Sequence, residues 1–66
     1  MRRNMIMNEF LHEIGDFIDL YVDNELYEAK IVSRYRKNDD FIYIVRYRKP
    51  GKRKYIGSAE ISEKDL

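Results

Sequence analysis

The chain has 66 residues, of which 44% are hydrophobic, 14% aromatic and 38% charged, and its formal net charge is +1. A domain this small buries only about 60% of its unfolded surface, so apolar and aromatic packing must supply its stability. The absence of cysteine and the presence of a single histidine, His12, exclude disulfides, cysteine-ligated metals and a histidine zinc site. No apolar run reaches the ~18 residues of a membrane helix, and the N-terminus lacks a signal-peptide core. We therefore expect a soluble protein that uses no metal, cofactor or membrane.

The charges are strongly segregated along the chain. Between Lys30 and Lys54, ten basic residues stand against two acidic ones, which gives a charge of +8. The net charge of residues 1–29 is −5, and that of residues 55–66 is −2. A basic centre between acidic ends indicates an anionic partner for the middle of the chain.

Residues 1–14 are predicted to form a short helical extension that ends near Gly15. The apolar positions that share one helix face, at spacings i, i+3, i+4 and i+7, are Met7, Phe10, Leu11 and Ile14. A helix this short is stable only when it packs on the rest of the fold. A frayed tail is the alternative, and a docking face for a partner or second copy is a third interpretation.

Residues 15–66 are predicted to form a β domain. The predicted strands are "DFIDLYV", "LYEAKIVSRY", "FIYIVRY" and "KYIGS". The turns between them are Asp23-Asn24, the polar "RKNDD" and the type II sequence Pro50-Gly51. Ser62 begins a one-turn helix at the C-terminus.

The third strand is apolar on both faces at its centre. Phe41, Tyr43, Val45 and Tyr47 alternate with Ile42 and Ile44. Such a strand belongs inside a closed or curved sheet. We predict a mainly β fold, a small SH3-like barrel of four to five antiparallel strands with an N-terminal helix and a C-terminal helical turn.

The basic residues follow the second strand and its turn, and then the third strand and its loop. They are Lys30, Arg34, Arg36, Lys37, Arg46, Arg48, Lys49, Lys52, Arg53 and Lys54. The two strands are neighbours in a hairpin, so we expect one basic surface that contacts phosphates. Interleaved tyrosines, Tyr35, Tyr43, Tyr47 and Tyr55, would stack on unpaired bases. The alternative is an ordinary solvated surface that the acidic first segment compensates.

From Gly15 to Tyr47 the chain resembles the chromo-barrel, or Tudor-knot, domains of mortality-factor-type chromatin proteins and MYST-type acetyltransferases. The matching features are Gly15 before the first strand, "LYEAKIV" as the second, "YIVRY" as the third and "EISEKDL" at the end. Tyr27 and Tyr47 are twenty residues apart, like two tyrosines of the family. The resemblance implies a nuclear, chromatin-associated module whose ligand is RNA, DNA or a histone tail. It also allows the chain to be the N-terminal module of a larger acetyltransferase.

The resemblance further implies a tyrosine cage for methylated lysine. Tyr27 and Tyr47 fall on cage positions and Tyr21 near another, while Tyr55 stands in for a tryptophan of the family, because this chain has no Trp. Aromatic faces attract a quaternary ammonium through cation–π interactions. The alternative is that these rings form the barrel wall with their hydroxyls at its rim.

The acidic residues offer no catalytic arrangement. Asp16, Asp19 and Asp23 lie near no histidine or nucleophile in the sequence. We therefore predict a non-enzymatic module that binds nucleic acid through a basic hairpin, either as a monomer or within a larger complex. A methyl-lysine histone-tail reader and a protein-docking module are the alternatives.

Overall fold

The computed structural model describes residues 10–66, which form a four-stranded antiparallel sheet and one 3-10 turn. The strands are β1 (Phe17–Val22), β2 (Glu25–Lys37), β3 (Asp40–Arg48) and β4 (Gly57–Ser62), and the turn is Glu63–Asp65. The mainly β prediction is confirmed, and "LYEAKIV" pairs directly with "FIYIVRY". The predicted fourth strand "KYIGS" overlaps β4 only at its last two residues, because β4 begins at Gly57 and continues to Ser62.

The sheet is open, whereas the sequence predicted a closed barrel. Each strand pairs with its neighbour in the sequence, in the order β1-β2-β3-β4, so β1 and β4 are the two edges. Within residues 10–66 no ladder joins these edges, and there is no fifth strand. The core is covered instead on one face of the sheet, by the segment before β1 and by the 3-10 turn.

Two tight hairpins fix the register of the first three strands. Asp23 and Asn24, with φ of 51° and 68°, make the two-residue connection between β1 and β2. Positive φ at both positions matches a type I′ turn, which short polar residues tolerate. Asn38, with φ of 56°, begins the connection to β3. Both predicted turns are confirmed.

The remaining turn and the C-terminal cap also follow the sequence. The amide of Lys52 donates to the carbonyl of Lys49 at 3.0 Å, and Gly51 has φ of 79°. This is the predicted type II turn. The hydroxyl of Ser62 accepts from the amide of Lys64 at 3.2 Å and so caps the 3-10 turn.

A β-bulge at Val32, halfway along β2, changes the face of the sheet to which the following side chains point. Ile31 lies opposite Val45, whereas Ser33 lies opposite Ile44, so Val32 is an extra residue in β2. A bulge shifts the two-residue alternation by one position. Side chains that a regular strand would send to one face therefore emerge on the other after Val32.

The core face of the sheet carries the buried residues. Its fully buried members are Ala29, Ile31, Tyr43 and Val45. The apolar residues packed against them are Phe10, Ile18, Leu20, Tyr47, Ala59 and Ile61. We call the opposite side the outer face. It is formed by the alternate side chains of each strand.

The predicted N-terminal helix is wrong over residues 10–14, which have no helical structure. Phe10 packs on Phe41 and Tyr43, with ring centroids 4.7 and 5.7 Å apart. Leu11 and Ile14, predicted for the same apolar face, are 62% and 57% exposed. Met7 and the rest of the predicted helix lie outside the described residues.

Gly15 lies in a turn that joins this segment to the sheet. Its amide donates to the carbonyl of Ile31 at 2.7 Å, and the amide of Asp16 donates to the carbonyl of Glu13 at 3.1 Å. With φ of 101°, Gly15 occupies a turn that other residues adopt only with strain. The segment is therefore tied to β2 instead of continuing a helix.

A cluster of polar groups around Tyr43 connects the two ends of the described chain by hydrogen bonds. The Tyr43 hydroxyl accepts from the amide of His12 at 3.0 Å and donates to the carboxylate of Glu63. The guanidinium of Arg34 donates to the carbonyl of His12 at 2.6 Å. Burial, followed by the hydrogen bond to Glu63, raises the pKa of Tyr43.

Replacing Tyr43 by Phe should lower the free energy of unfolding by about 1–3 kcal/mol, because the His12 amide and Glu63 lose their partner. A raised folded-state pKa stabilises the fold below the ordinary value of 10.0, and this contribution is lost as pH rises through the folded-state value. The variant should therefore lose stability less steeply than the parent above pH 10. Urea unfolding from pH 7 to 11 measures both effects. Tyr21→Phe, on an exposed ring, should leave stability at pH 7 unchanged.

Gly57 should not accept a side chain while Tyr47 is present. A Cβ at Gly57 would lie 2.4 Å from the Tyr47 hydroxyl oxygen and 2.5 Å from the ring carbon that bears it. We expect Gly57→Ala to cost about 1–3 kcal/mol of unfolding free energy by urea titration. In a Tyr47→Leu background the same change should be neutral or stabilising, because alanine orders a strand better than glycine. Equal losses in both backgrounds would contradict the contact.

Candidate nucleic-acid interface

A row of three side chains crosses the outer face of the sheet. Phe17 of β1 lies opposite Lys30 of β2, and Lys30 lies opposite Arg46 of β3. Neighbouring strands are ~4.8 Å apart, so the row spans about 10 Å. It places an exposed ring at one end and an exposed guanidinium at the other.

Two arginines and two aromatic rings alternate along this surface. The guanidinium carbon of Arg48 lies 4.8 Å from the centroid of Phe17 and 5.3 Å from that of Tyr55. Arg46 lies 5.1 Å from the same Tyr55 centroid. Each contact has cation–π geometry, worth roughly 0.5–1 kcal/mol at an exposed site. We call Phe17, Lys30, Arg46, Arg48 and Tyr55 the aromatic–arginine platform.

Arg48 is the fixed member of the platform. Its Nε atom donates to a carboxylate oxygen of Glu28 at 3.1 Å, and its side chain is 24% exposed. Glu28 also lies directly opposite Arg48 in the sheet. Its charge is therefore largely compensated, and its guanidinium chiefly holds the two rings in place. Arg46 carries the exposed charge of the pair.

The loop between β3 and β4 adds a cluster of cations beside the platform. Its basic residues, which we call the basic loop, are Lys49, Lys52, Arg53 and Lys54. All four are exposed, and within residues 10–66 none forms a salt bridge. The amide of Ile56 donates to the carbonyl of Tyr47 at 2.8 Å, which ties the end of the loop to β3. Tyr55 is thereby returned to the outer face.

The structure divides the predicted ten-residue basic surface. Seven residues gather at the platform and its loop, namely Lys30, Arg46, Arg48, Lys49, Lys52, Arg53 and Lys54. The bulge at Val32 places Arg34 and Arg36 on the core face instead, 4.9 Å from the centroid of Phe10 and 5.5 Å from that of Phe41. Lys37 lies at the far end of the sheet, about 27 Å away along the nine residues of β3.

The four predicted cage tyrosines are not assembled into one cage. Tyr27 and Tyr47 meet edge to face on the core face, with centroids 5.1 Å apart. Tyr21 is 69% exposed on the outer face, and Tyr55 belongs to the platform. The rings are thus split between the two sides of the sheet.

A surface pocket of about 210 Å³ lies beside Tyr27. It is lined by Glu25, Leu26, Tyr27, Lys49 and Pro50, so it has a single aromatic wall. The Tyr27 hydroxyl donates to Glu25 at 2.9 Å, and this hydrogen bond raises the pKa of Tyr27. A pocket with one ring and a neighbouring lysine is a poor fit for a methylated ammonium group.

The platform residue Phe17 and its neighbour Glu28 were not predicted as site residues from the sequence. Phe17 meets Arg48 only through the register of β1, β2 and β3, and Glu28 neutralises Arg48 across the same ladder. The alternation of "DFIDLYV" marks Phe17 as an outer residue of a strand. Its arginine neighbour could not be identified before the strands were paired.

Other kinds of site find no support within residues 10–66. No group of three or more His, Cys, Asp or Glu side chains is arranged to hold a metal ion. In the same part of the chain, no helix has the length and apolar character needed to cross a membrane.

Neither the known protein families, nor the curated proteins, nor the solved structures include a match to this chain.

Proposed function

We propose that this chain is a non-enzymatic nucleic-acid-binding module whose ligand contacts the aromatic–arginine platform and the basic loop. The observation that carries the proposal is that Lys30, Arg46 and Arg48 lie beside two aromatic rings on the outer face, next to a loop with four more exposed cations. Only one of the seven, Arg48, forms a salt bridge within residues 10–66.

Phosphates are the natural partners of such a surface. Lysine and arginine side chains that neutralise phosphates release counterions, which makes the affinity salt-dependent and largely independent of sequence. The basic loop supplies four exposed cationic donors, and Lys30 and Arg46 continue the positive surface onto the sheet. Two acidic residues pair away from this surface, Glu13 with Arg34 and Asp40 with Lys64, whereas Glu28 pairs with Arg48 on it.

Chromatin association and a nuclear location rest on the sequence resemblance, and we keep them as part of the proposal. The methyl-lysine reader is the less favoured alternative, because its four tyrosines lie on two faces. The docking alternative is weakened because Phe10, the centre of its proposed apolar face, packs into the core. Oligomeric state and membership of a complex also stay predictions.

Removing two charges from the basic loop should weaken nucleic-acid binding more than removing two at the far end of β2. The double variant Lys52→Gln/Arg53→Gln should reduce the slope of log affinity against log salt by about 1–2, because each lost phosphate contact removes roughly one unit. The matched control is Arg36→Gln/Lys37→Gln, which should change neither slope nor affinity. Fluorescence anisotropy at several salt concentrations measures this. Salt-independent binding, or equal losses in both variants, would contradict the proposal.

Neutralising Glu28 should strengthen binding, since Glu28→Gln frees the charge of Arg48 and removes an acid from the outer face. We expect an affinity gain of roughly threefold or more at low salt, from the Coulomb term near a phosphate. Glu13→Gln changes the net charge equally but frees Arg34 on the core face, and it should leave affinity within about twofold of the parent. Equal gains in the two variants would indicate that net charge alone governs binding.

A further inference from the structure

We infer that the aromatic–arginine platform takes single-stranded nucleic acid in preference to duplex, with Phe17 and Tyr55 stacking on unpaired bases. This inference rests on the proposed function and specifies its ligand. It follows from the placement of rings among cations on the surface of a sheet.

The platform separates two kinds of contact. The cations of the basic loop lie beyond the end of β3, where they can follow a phosphate backbone. Phe17 lies in β1 and is 49% exposed, and Tyr55, just before β4, lies against Arg46 and Arg48 on the outer face. A nucleic-acid strand that crosses the sheet from β1 would meet Phe17 first, then Lys30 and Arg46, and finally the ring of Tyr55. Aromatic side chains thus stand at both ends of a short cationic path.

Arg46 and Arg48 add stacking surface of their own. A guanidinium plane stacks on a base as an aromatic ring does. Arg48 lies against both rings and is anchored by Glu28, so the rings and the guanidinium are held together before a ligand arrives. A preorganised surface loses less conformational entropy on binding.

A duplex cannot use these groups. Its bases are stacked on one another, and their edges lie at the floor of grooves that proteins enter with a projecting helix or β-ribbon. Rings on the outer face of an open sheet do not reach that floor, whereas unpaired bases can turn outward onto them. Because every base has a stacking face, we expect little sequence preference.

The experiment compares a single-stranded oligonucleotide of about 15 nucleotides, which covers the ~4–16 nucleotide footprint of small β-sheet binders, with a duplex of equal length. The variants are Phe17→Leu, Tyr55→Leu and their combination in the full chain. Each single change should weaken single-strand binding by roughly 5- to 100-fold while altering duplex binding by less than about twofold. The salt slope should stay the same, because no phosphate contact is removed.

Tyr21→Leu is the matched control. Tyr21 is an exposed ring on the same face, but Asp19 and Glu28 lie between it and the platform row, and no arginine lies over it within residues 10–66. This variant should bind both ligands like the parent. A loss equal to that of Tyr55→Leu would overturn the assignment of the stacking rings.

The outcomes separate this inference from the proposed function. Equal affinity for both ligands, with no effect of the two ring variants, overturns the inference and leaves nucleic-acid binding intact. Binding to neither ligand overturns both. If a variant fails to fold, the parent still decides the question by NMR. The ring protons of Phe17 and Tyr55 should shift upfield with the single strand and not with the duplex, and unshifted rings would contradict the inference.

Discussion

The bulge at Val32 determines on which face of the sheet the basic residues of β2 lie. One extra residue in β2 turns Arg34 and Arg36 onto the core face and leaves Lys30 on the outer face. Without it, regular alternation would place Lys30, Arg34 and Arg36 on one side. The bulge therefore assigns part of the basic segment to holding the fold together and the rest to the exposed surface.

The arginines illustrate that division. Arg34 binds the carbonyl of His12 and lies over Phe10, so it attaches the N-terminal segment to the core. Arg48 binds Glu28 and lies over two rings on the outer face. Both uses rely on the planar guanidinium, which can donate hydrogen bonds and pack on an aromatic ring at the same time. The lysines of the basic loop have neither constraint and keep their charges exposed.

A domain of this size has few segments with which to cover its hydrophobic core. Here the covering comes from Phe10 and from the C-terminal turn, joined by the Tyr43 hydroxyl between His12 and Glu63. The outer face of the same sheet then remains open to solvent. Within residues 10–66, one side of the four-stranded sheet is therefore left uncovered, while the other side supplies the hydrophobic burial that stabilises the fold.

The amino-acid sequence alone was sufficient to predict the first three strands, the turns and the alternation of β3, because these depend on local periodicity and on residues suited to positive φ. It also determined that the basic charges are concentrated in the middle of the chain. The three-dimensional structure was needed to show that residues 10–14 are not helical, that the sheet is open, that Phe17 contacts Arg48, and that the tyrosines occupy two faces. Each of these depends on strand register and on one bulge, and a shift of a single residue in register reverses every side chain that follows.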